Sequence, residues 1–188
     1  MRLMIRIGYM GIPLSNSEKA AELMIQRMDD DVELVPLIDS ESVTKALLSG
    51  DIDYGVVAVR NMVAGPVVET EEALRNSPSI VSVTEISLPI HHCIFVKHEG
   101  AEIDSIASHI QALGQTYNNV EHMFPGIRRV GVADTALAAE MLSDGRLPET
   151  TAVLCTMAAG MHYKLHLLEE NVEDDPENWT DFALLKKD

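Results

Sequence analysis

Two spacings of hydrophobic residues alternate along the chain. Short runs rich in Val, Ile and Leu are typical of strands, and longer runs with apolar residues every three or four positions are typical of helices. These patterns predict strands at residues 1–11, 31–38, 54–59, 80–88, 89–96, 128–133, 151–155 and 181–187. They predict helices at residues 15–28, 39–50, 70–77, 108–124, 134–145 and 156–165.

Two of the helices have both ends marked by residue type. Asp39 or Ser40 is predicted to begin a helix that closes at Gly50, and Asp134 one that closes at Gly145. Short polar side chains favour the N-cap, and glycine favours the left-handed conformation that follows a last turn. Residues 98–105 and the acidic segment 173–177 are predicted to be connections.

Small polar side chains stand at several predicted helix starts. Ser15 with Glu18, and Ser108 with Gln111, have the spacing of a capping box. A helix N-terminus also suits a carboxylate or phosphate, because free N–H groups and the positive end of the helix dipole lie there. At any single helix, these polar residues could simply cap the helix and bind no anion. Several helix N-termini at one edge of a sheet, in contrast, would form an anion pocket. The candidate starts are Ser15–Ser17, Ser108, His109, Asp134, Thr135 and Thr156.

The order of the elements predicts the fold class. Strands alternate with helices, which favours an α/β protein with mostly parallel sheets flanked by helices. Two similar blocks with no Gly- or Ser-rich linker between them suggest two closely connected lobes. Clefts at lobe boundaries are favoured ligand sites, so we expect a ligand in a cleft between the lobes.

Composition narrows the class of ligand. The 188 residues are 46% hydrophobic and carry a formal net charge of −16. This charge argues against a nucleic-acid binder, which needs clustered Lys and Arg for phosphate contacts, and against attraction to anionic membranes. No apolar run reaches the length of a membrane span, and the N-terminus lacks a signal-peptide core.

The cysteines and histidines give weaker signals. Cys93 and Cys155 lie in apolar stretches far apart in sequence, which favours buried free thiols in a reducing cytoplasm. His162 and His166 have the spacing of a helical metal-binding pair, but no carboxylate or cysteine motif completes a site. We therefore expect no metal.

The polar landmarks, taken in order, resemble the catalytic domain of the prephenate dehydratase family. The segment IGYMGIPLSNSEKAA is similar to that family's opening Gly-Pro-x-Gly-Ser/Thr-Phe-Ser-Glu motif. The other matching segments are DIDYGVVAVRNMVAGPVVET, LPIHHCIFV, ASHIQALGQT, ADTALAAEML and NVEDDPENWTDFALL. Each motif is weak alone, but six in the same order are specific for the superfamily.

The resemblance implies a two-lobed fold like that of periplasmic binding proteins. The first lobe would comprise residues 1–85 plus 168–188, and the second lobe residues 86–167. The family's regulatory C-terminal domain is expected to be absent. The implied reaction converts prephenate to phenylpyruvate, water and carbon dioxide without a metal or organic cofactor, and a cytoplasmic homodimer is expected.

The same resemblance assigns the site residues. Thr180 corresponds to the family's catalytic threonine, whose hydroxyl would donate to the leaving oxygen. Substrate-pocket positions correspond to Ser15, Arg60, Asn61, Ser108, His109, Gln111, Thr135 and Asn178. In these positions amides, hydroxyls and helix N-termini would hold the carboxylates of the substrate.

Several departures from the family pattern lie in these motifs. Asp181 replaces an arginine after the catalytic threonine, and the family's Glu-Asn-Ser is Arg60-Asn61-Met62. An ion pair between Arg60 and Asp181 would explain the two charge exchanges together, and independent drift is the alternative. The family's glycine, phenylalanine and proline are replaced by Leu14, Asn16 and Ile110.

Three functions therefore stay open at this point. The first is a prephenate dehydratase-like lyase. The second is a relative that decarboxylates prephenate without aromatisation, or that acts on an amine-bearing analogue for which Asp181 is available. The third is a non-catalytic sensor that uses the binding-protein cleft. The retained Thr180 favours the enzymes, whereas Asp181 and Met62 favour the others.

Overall fold

The computed structural model describes residues 4–26 and 31–188. The predictions for residues 1–3 and 27–28 fall outside these ranges. The described chain divides into two compact units. The first contains the described residues up to Ile90 together with Trp179–Asp188, and the second is His91–Asn178. The predicted limits 85/86 and 167/168 thus correspond to 90/91 and 178/179 in the structure.

The first unit contains one sheet with helices beside it. Its elements are β1 (Ile5–Tyr9), α1 (Asn16–Ile25), β2 (Val32–Pro36), α2 (Ser40–Ser49), β3 (Tyr54–Asn61), β4 (Gly65–Pro66), α3 (Val68–Arg75), β5 (Ile80–Pro89) and β11 (Trp179–Lys187). The strand order is β2-β1-β3-β11-β5, and the short β4 pairs with β3. Strand β1 runs parallel to β2 and β3, whereas β11 is antiparallel to both β3 and β5.

The second unit contains a second sheet. Its elements are β6 (Cys93–Val96), β7 (Ser105–Ser108), α4 (Ile110–Gln115), α5 (Tyr117–Met123), β8 (Arg128–Gly131), α6 (Thr135–Ser143), β9 (Thr151–Cys155), α7 (Met157–His162) and β10 (His166–Glu169). The strand order is β10-β6-β9-β7-β8. Strand β7 is parallel to β8 and β9, whereas β6 is antiparallel to β9 and β10.

Both sheets are mixed, so the prediction of mostly parallel sheets was wrong. The antiparallel pairs of the first sheet involve β11, which crosses back into it, and the short β4; those of the second involve β6 and β10. The four-residue strands β7 and β10 were missed; β7 is buried at all four positions and so shows no alternation of apolar and polar residues. The predicted helix 108–124 is two helices that meet at Thr116.

Strand β11 is buried on both faces. Phe182 and Leu184 pack with Met24 of α1, and Ala183 and Leu185 pack on the opposite face with α2. Successive side chains of a strand point to opposite faces, so the two clusters define the faces of this sheet. Full burial of a Leu or Phe side chain stabilises a fold by about 1.5–3 kcal/mol, so this packing fixes the position of the residues at the start of β11.

Candidate functional site

Thr180 and Asn61 form a buried polar pair in the first unit. The two residues are register partners between β11 and β3. Asn61 Nδ2 donates to Thr180 Oγ1 over 2.9 Å and to the backbone oxygen of Trp179 over 3.1 Å. Because Thr180 Oγ1 is the acceptor in this bond, its own hydroxyl hydrogen is not used there.

A tight turn after β3 fixes the orientation of the Asn61 amide. Its Oδ1 accepts hydrogen bonds from the backbone N–H groups of Val63, over 3.0 Å, and Ala64, over 2.9 Å. This Asx turn assigns the oxygen to the turn and leaves Nδ2 facing Thr180. The family's asparagine is thus explained by local geometry, because one amide serves a backbone turn and a hydroxyl at once.

Arg60 and Asp181 are also register partners, on the face of the sheet opposite Thr180. They form no salt bridge with each other, so the predicted ion pair is wrong. Instead, Ser87 Oγ donates a hydrogen bond to Asp181 Oδ1, and Arg60 is exposed. The charge exchange at position 181 therefore does not place a carboxylate beside the Thr180 hydroxyl within this sheet.

Acidic side chains of the chain itself occupy the helix starts of the first unit. Ser15 caps α1 by accepting from Glu18 N over 3.3 Å, as the capping box predicts. The Glu18 carboxylate, however, accepts from Leu14 N over 2.6 Å and from the Tyr9 hydroxyl over 3.0 Å. Leu14 has a φ of 70°, which suits the glycine of the family motif better than leucine.

Carboxylates of the chain itself also occupy the start of α2. Asp39 caps this helix by accepting from Ser42 N over 2.7 Å, and Glu69 accepts from Ser40 N over 3.1 Å. A carboxylate already present at a helix start repels a second anion. These two helix starts therefore suit an anion less well than a start without a carboxylate, and the substrate-binding role of Ser15 stays a prediction.

Three helices of the second unit start at one edge of its sheet. Strands β8, β7 and β9 are parallel and in register, so their carboxyl ends meet at one edge, and α4, α6 and α7 follow them. The side chains that cap α4 and α7 are His109 and Thr156, and Asp134 caps α6. Two of the three caps thus lack a carboxylate, and free N–H groups and helix dipoles favour an anion here.

The predicted residues at this edge have different roles. Ser108 is fully buried and donates to the backbone oxygen of Leu154 over 2.7 Å, so the predicted capping box with Gln111 is wrong. His109 caps α4 instead, and its Nδ1 accepts from Gln111 N over 3.3 Å. Gln111 is exposed, and Thr135 is the half-buried first residue of α6.

Gln115 was not among the site residues predicted from the sequence. Its Oε1 accepts from Asn178 Nδ2 over 3.0 Å and contacts His92 Nε2 at 2.9 Å. An amide oxygen only accepts, so His92 is protonated on Nε2; burial lowers the pKa of His92, which keeps the ring neutral at pH 7. The second glutamine of ASHIQALGQT was the signal that could have identified this contact to the predicted substrate residue Asn178.

Glu173 ties the two ends of the second unit together. Its buried carboxylate accepts from His91 Nδ1 over 2.7 Å and from the backbone N–H of His92 over 3.0 Å. Burial alone would raise the pKa of Glu173, but the hydrogen bonds from His91 and from backbone N–H groups outweigh it and lower the pKa. His91 and His92 precede β6, so their predicted place in a strand was wrong.

Replacing Glu173 by glutamine is expected to lower the free energy of unfolding at pH 7 by about 2 kcal/mol, because hydrogen bonds to a charged group are lost. Because the pKa of Glu173 is lower in the folded state, its ionised carboxylate stabilises the fold at pH values above the unfolded-state pKa of about 4.3. This stabilisation is lost as the pH falls through the folded-state pKa. Urea unfolding should therefore show the difference at pH 7 and a smaller one below about pH 4. The exposed Glu177→Gln is the matched control, and equal losses in both variants would contradict the assignment.

The second unit gives no support for a histidine metal site. His162 ends α7 and His166 begins β10, so the predicted helical pairing of these residues is wrong. Among the residues that the structure describes, no three His, Cys, Asp or Glu side chains are arranged to hold a metal ion. No helix in the described part of the chain has the length and apolar character needed to cross a membrane.

Comparison with known sequences identifies relatives over nearly the whole chain. The prephenate dehydratase family model matches residues 7–188. The chain is 33% identical to an arogenate dehydratase/prephenate dehydratase of Arabidopsis thaliana over 98% of its length and 45% of the relative. It is 32% identical to a prephenate dehydratase of Amycolatopsis methanolica, over 98% of the chain and 59% of the relative. The chain thus spans about half the length of these curated relatives.

Solved structures agree on the fold. A prephenate dehydratase of Arthrobacter aurescens in complex with L-Phe superposes with a TM-score of 0.86 at 23% identity, covering 98% of this chain and 61% of that chain. A periplasmic substrate-binding protein of an ABC transporter from Coxiella burnetii superposes with a TM-score of 0.52 at 14% identity, covering 98% and 84%. The predicted periplasmic-binding-protein-like α/β fold is thereby confirmed. From the match over residues 7–188 and these relatives, the chain belongs to the prephenate dehydratase family.

Proposed function

We propose that the chain is the catalytic part of a dehydratase that acts on prephenate or on its amine-bearing analogue arogenate. Family membership supports a reaction in which a ring hydroxyl leaves as water while a carboxylate leaves as carbon dioxide. The electrons of the breaking C–C bond enter the ring, the C–O bond breaks with its electron pair on the departing oxygen, and that oxygen takes a proton from solvent to become water. Aromatisation drives the step, so the proposal requires no metal or organic cofactor.

The observation that carries the proposal is the hydrogen bond from Asn61 to Thr180. Thr180 Oγ1 accepts from Asn61 Nδ2 over 2.9 Å, so the hydroxyl hydrogen is left to donate to another oxygen. A threonine hydroxyl is a poor acid at neutral pH, and we therefore assign it hydrogen-bond stabilisation of the leaving oxygen and not full proton transfer. The buried position of Thr180 strengthens such a bond, because water competes less.

The carboxylate-binding role assigned to His109, Gln111 and Thr135 remains a proposal, and Ser108 would support this role indirectly. The convergence of three helix starts at one sheet edge supports it. The absence of a carboxylate from the cap of α4 supports it for His109 and Gln111, whereas Asp134 caps the helix that Thr135 begins. Ser108 would act by holding β7 to β9 through Leu154, because its hydroxyl is already donated. His109 and Gln111 are the side chains with exposed surface for direct contact.

Two substrates are left to test. The Arabidopsis thaliana relative is named as a dehydratase of arogenate and of prephenate, whereas the Amycolatopsis methanolica relative is named as a dehydratase of prephenate alone. Asp181 is the residue that the amine-bearing alternative would use. Its side chain lies on the face opposite Thr180 and accepts from Ser87, which favours a structural role. We therefore expect turnover of prephenate, with arogenate as the second substrate.

The purified chain is expected to convert prephenate to phenylpyruvate without added metal, because the proposed chemistry needs none. Phenylpyruvate is measured by its alkaline ultraviolet absorbance, and the aromatic amino acid formed from arogenate by chromatography. Prephenate loss without phenylpyruvate would support the decarboxylase alternative. Calorimetric binding of prephenate without turnover of either substrate would support the sensor and contradict the proposal.

A further inference from the structure

The two cysteines of the chain face each other in the second unit. Cys93 begins β6 and Cys155 ends β9, and the two residues are register partners in this antiparallel pair. Register partners have Cα atoms about 4.5–5.5 Å apart and side chains on the same face. Disulfides join Cα atoms about 4.4–6.8 Å apart, so the spacing of register partners suits a bridge. Both thiols are free and buried.

We propose that Cys93 and Cys155 form a reversible intramolecular disulfide when a small organic disulfide is present. One cysteine thiolate attacks a sulfur of the reagent and releases one small thiol, which leaves a mixed disulfide on the protein. The facing cysteine then loses its proton, attacks the protein sulfur and releases the second small thiol. Two protein thiols are oxidised to one disulfide, and the reagent is reduced to two thiols.

The surroundings of the pair make this reaction slow at neutral pH. Burial raises the pKa of both thiols, and the carboxylates of Glu170 and Glu173 add to the effect at Cys93. The thiolate is the attacking species, so the rate is expected to increase about tenfold per pH unit while the pH stays below the thiol pKa. A backbone N–H partly opposes the raised pKa at each thiol, that of Asn171 at Cys93 and that of Gly160 at Cys155.

The bridge would have a defined structural effect. It would tie β6 to β9 directly before Thr156, the residue that caps α7. Closing the long loop between the cysteines restricts the unfolded chain, so the oxidised protein is expected to melt about 10 °C higher than the reduced protein. Thiol state would thereby set the stability of the second unit.

The test incubates the wild-type protein with 2-hydroxyethyl disulfide at pH 7 and pH 9. The proposal expects faster oxidation at pH 9, loss of both alkylatable thiols under denaturing conditions, a cross-linked Cys93–Cys155 peptide in the mass spectrum, and a melting temperature that returns to the reduced value after dithiothreitol. A protein whose thiols are both still alkylated, or which keeps one or two stable mixed disulfides, would overturn it.

Cys93→Ala and Cys155→Ala provide the matched controls. Each is expected to stop at a mixed disulfide, and its melting temperature should not increase with the oxidant. An equal increase in a single-cysteine variant would show that the oxidant acts elsewhere and would also overturn the proposal. The wild-type peptide map decides the question even if a variant does not fold.

Discussion

Replacing Thr180 by valine is expected to lower kcat for the dehydratase reaction about 10²- to 10³-fold, the usual cost of removing one transition-state hydrogen-bond donor. Valine keeps the branched shape that packs at the start of β11, and KM should change little. Asn61 Nδ2 retains its bond to the backbone oxygen of Trp179 at 3.1 Å, so the turn after β3 should persist. Steady-state kinetics with prephenate and with arogenate provide the measurement.

Thr180→Ser is the matched control, because serine retains the hydroxyl that accepts from Asn61 Nδ2. We expect this variant to keep activity within about tenfold of the wild type, since its donor remains while its methyl packing is lost. If the valine and serine variants had similar kcat values, the Thr180 hydroxyl would have no role in the mechanism. A melting curve for each variant separates a catalytic loss from an unfolded protein.

Replacing Gly160 by alanine is expected to lower the free energy of unfolding by about 3 kcal/mol and the melting temperature by roughly 10 °C. Gly160 is in α7 and is buried against the Phe95 ring of β6. A methyl carbon at this position would overlap three carbons of that ring, closer than any van der Waals contact. Thermal unfolding followed by circular dichroism measures the effect.

Gly114→Ala is the control for this prediction. Gly114 is also a helical glycine, in α4, and a methyl carbon there would meet no atom within 4 Å. Alanine is favoured over glycine in a helix by about 1 kcal/mol, so this variant should be as stable as the wild type or more stable. The double variant Gly160→Ala/Phe95→Leu should regain part of the loss, and equal effects at the two glycines would contradict the packing argument.

The sequence predicted features that depend on neighbouring residues. Asp39, Asp134 and Thr156 cap helices, and Gly50 closes α2 with a φ of 80°, as expected. These choices depend on a few adjacent backbone groups, and residue type alone determines most of them. The family was indicated by the order of the motifs, because six motifs that are each weak become specific when they occur in the same order.

Side-chain contacts between segments that are distant in sequence could not be predicted from residue type alone. Arg60 and Asp181 do lie opposite each other, but the choice of Ser87 as the partner of Asp181 required the third strand. The facing of Cys93 and Cys155 required the register of β6 and β9. The contact from Gln115 to Asn178 joins the end of α4 to the last residue of the second unit. A one-residue slip in any of these pairings would change which side chains meet.

The place of β11 between β3 and β5 sets an order for biosynthesis. On the ribosome, residues 91–178 emerge as one uninterrupted stretch, so the second unit can fold while the nascent chain is still growing. The first sheet is different, because β11, which lies between β3 and β5, is translated after the other strands of that sheet. Until Trp179–Lys187 arrives, β3 and β5 have no partner between them, and apolar surface near α1 and α2 stays open to chaperones or to aggregation.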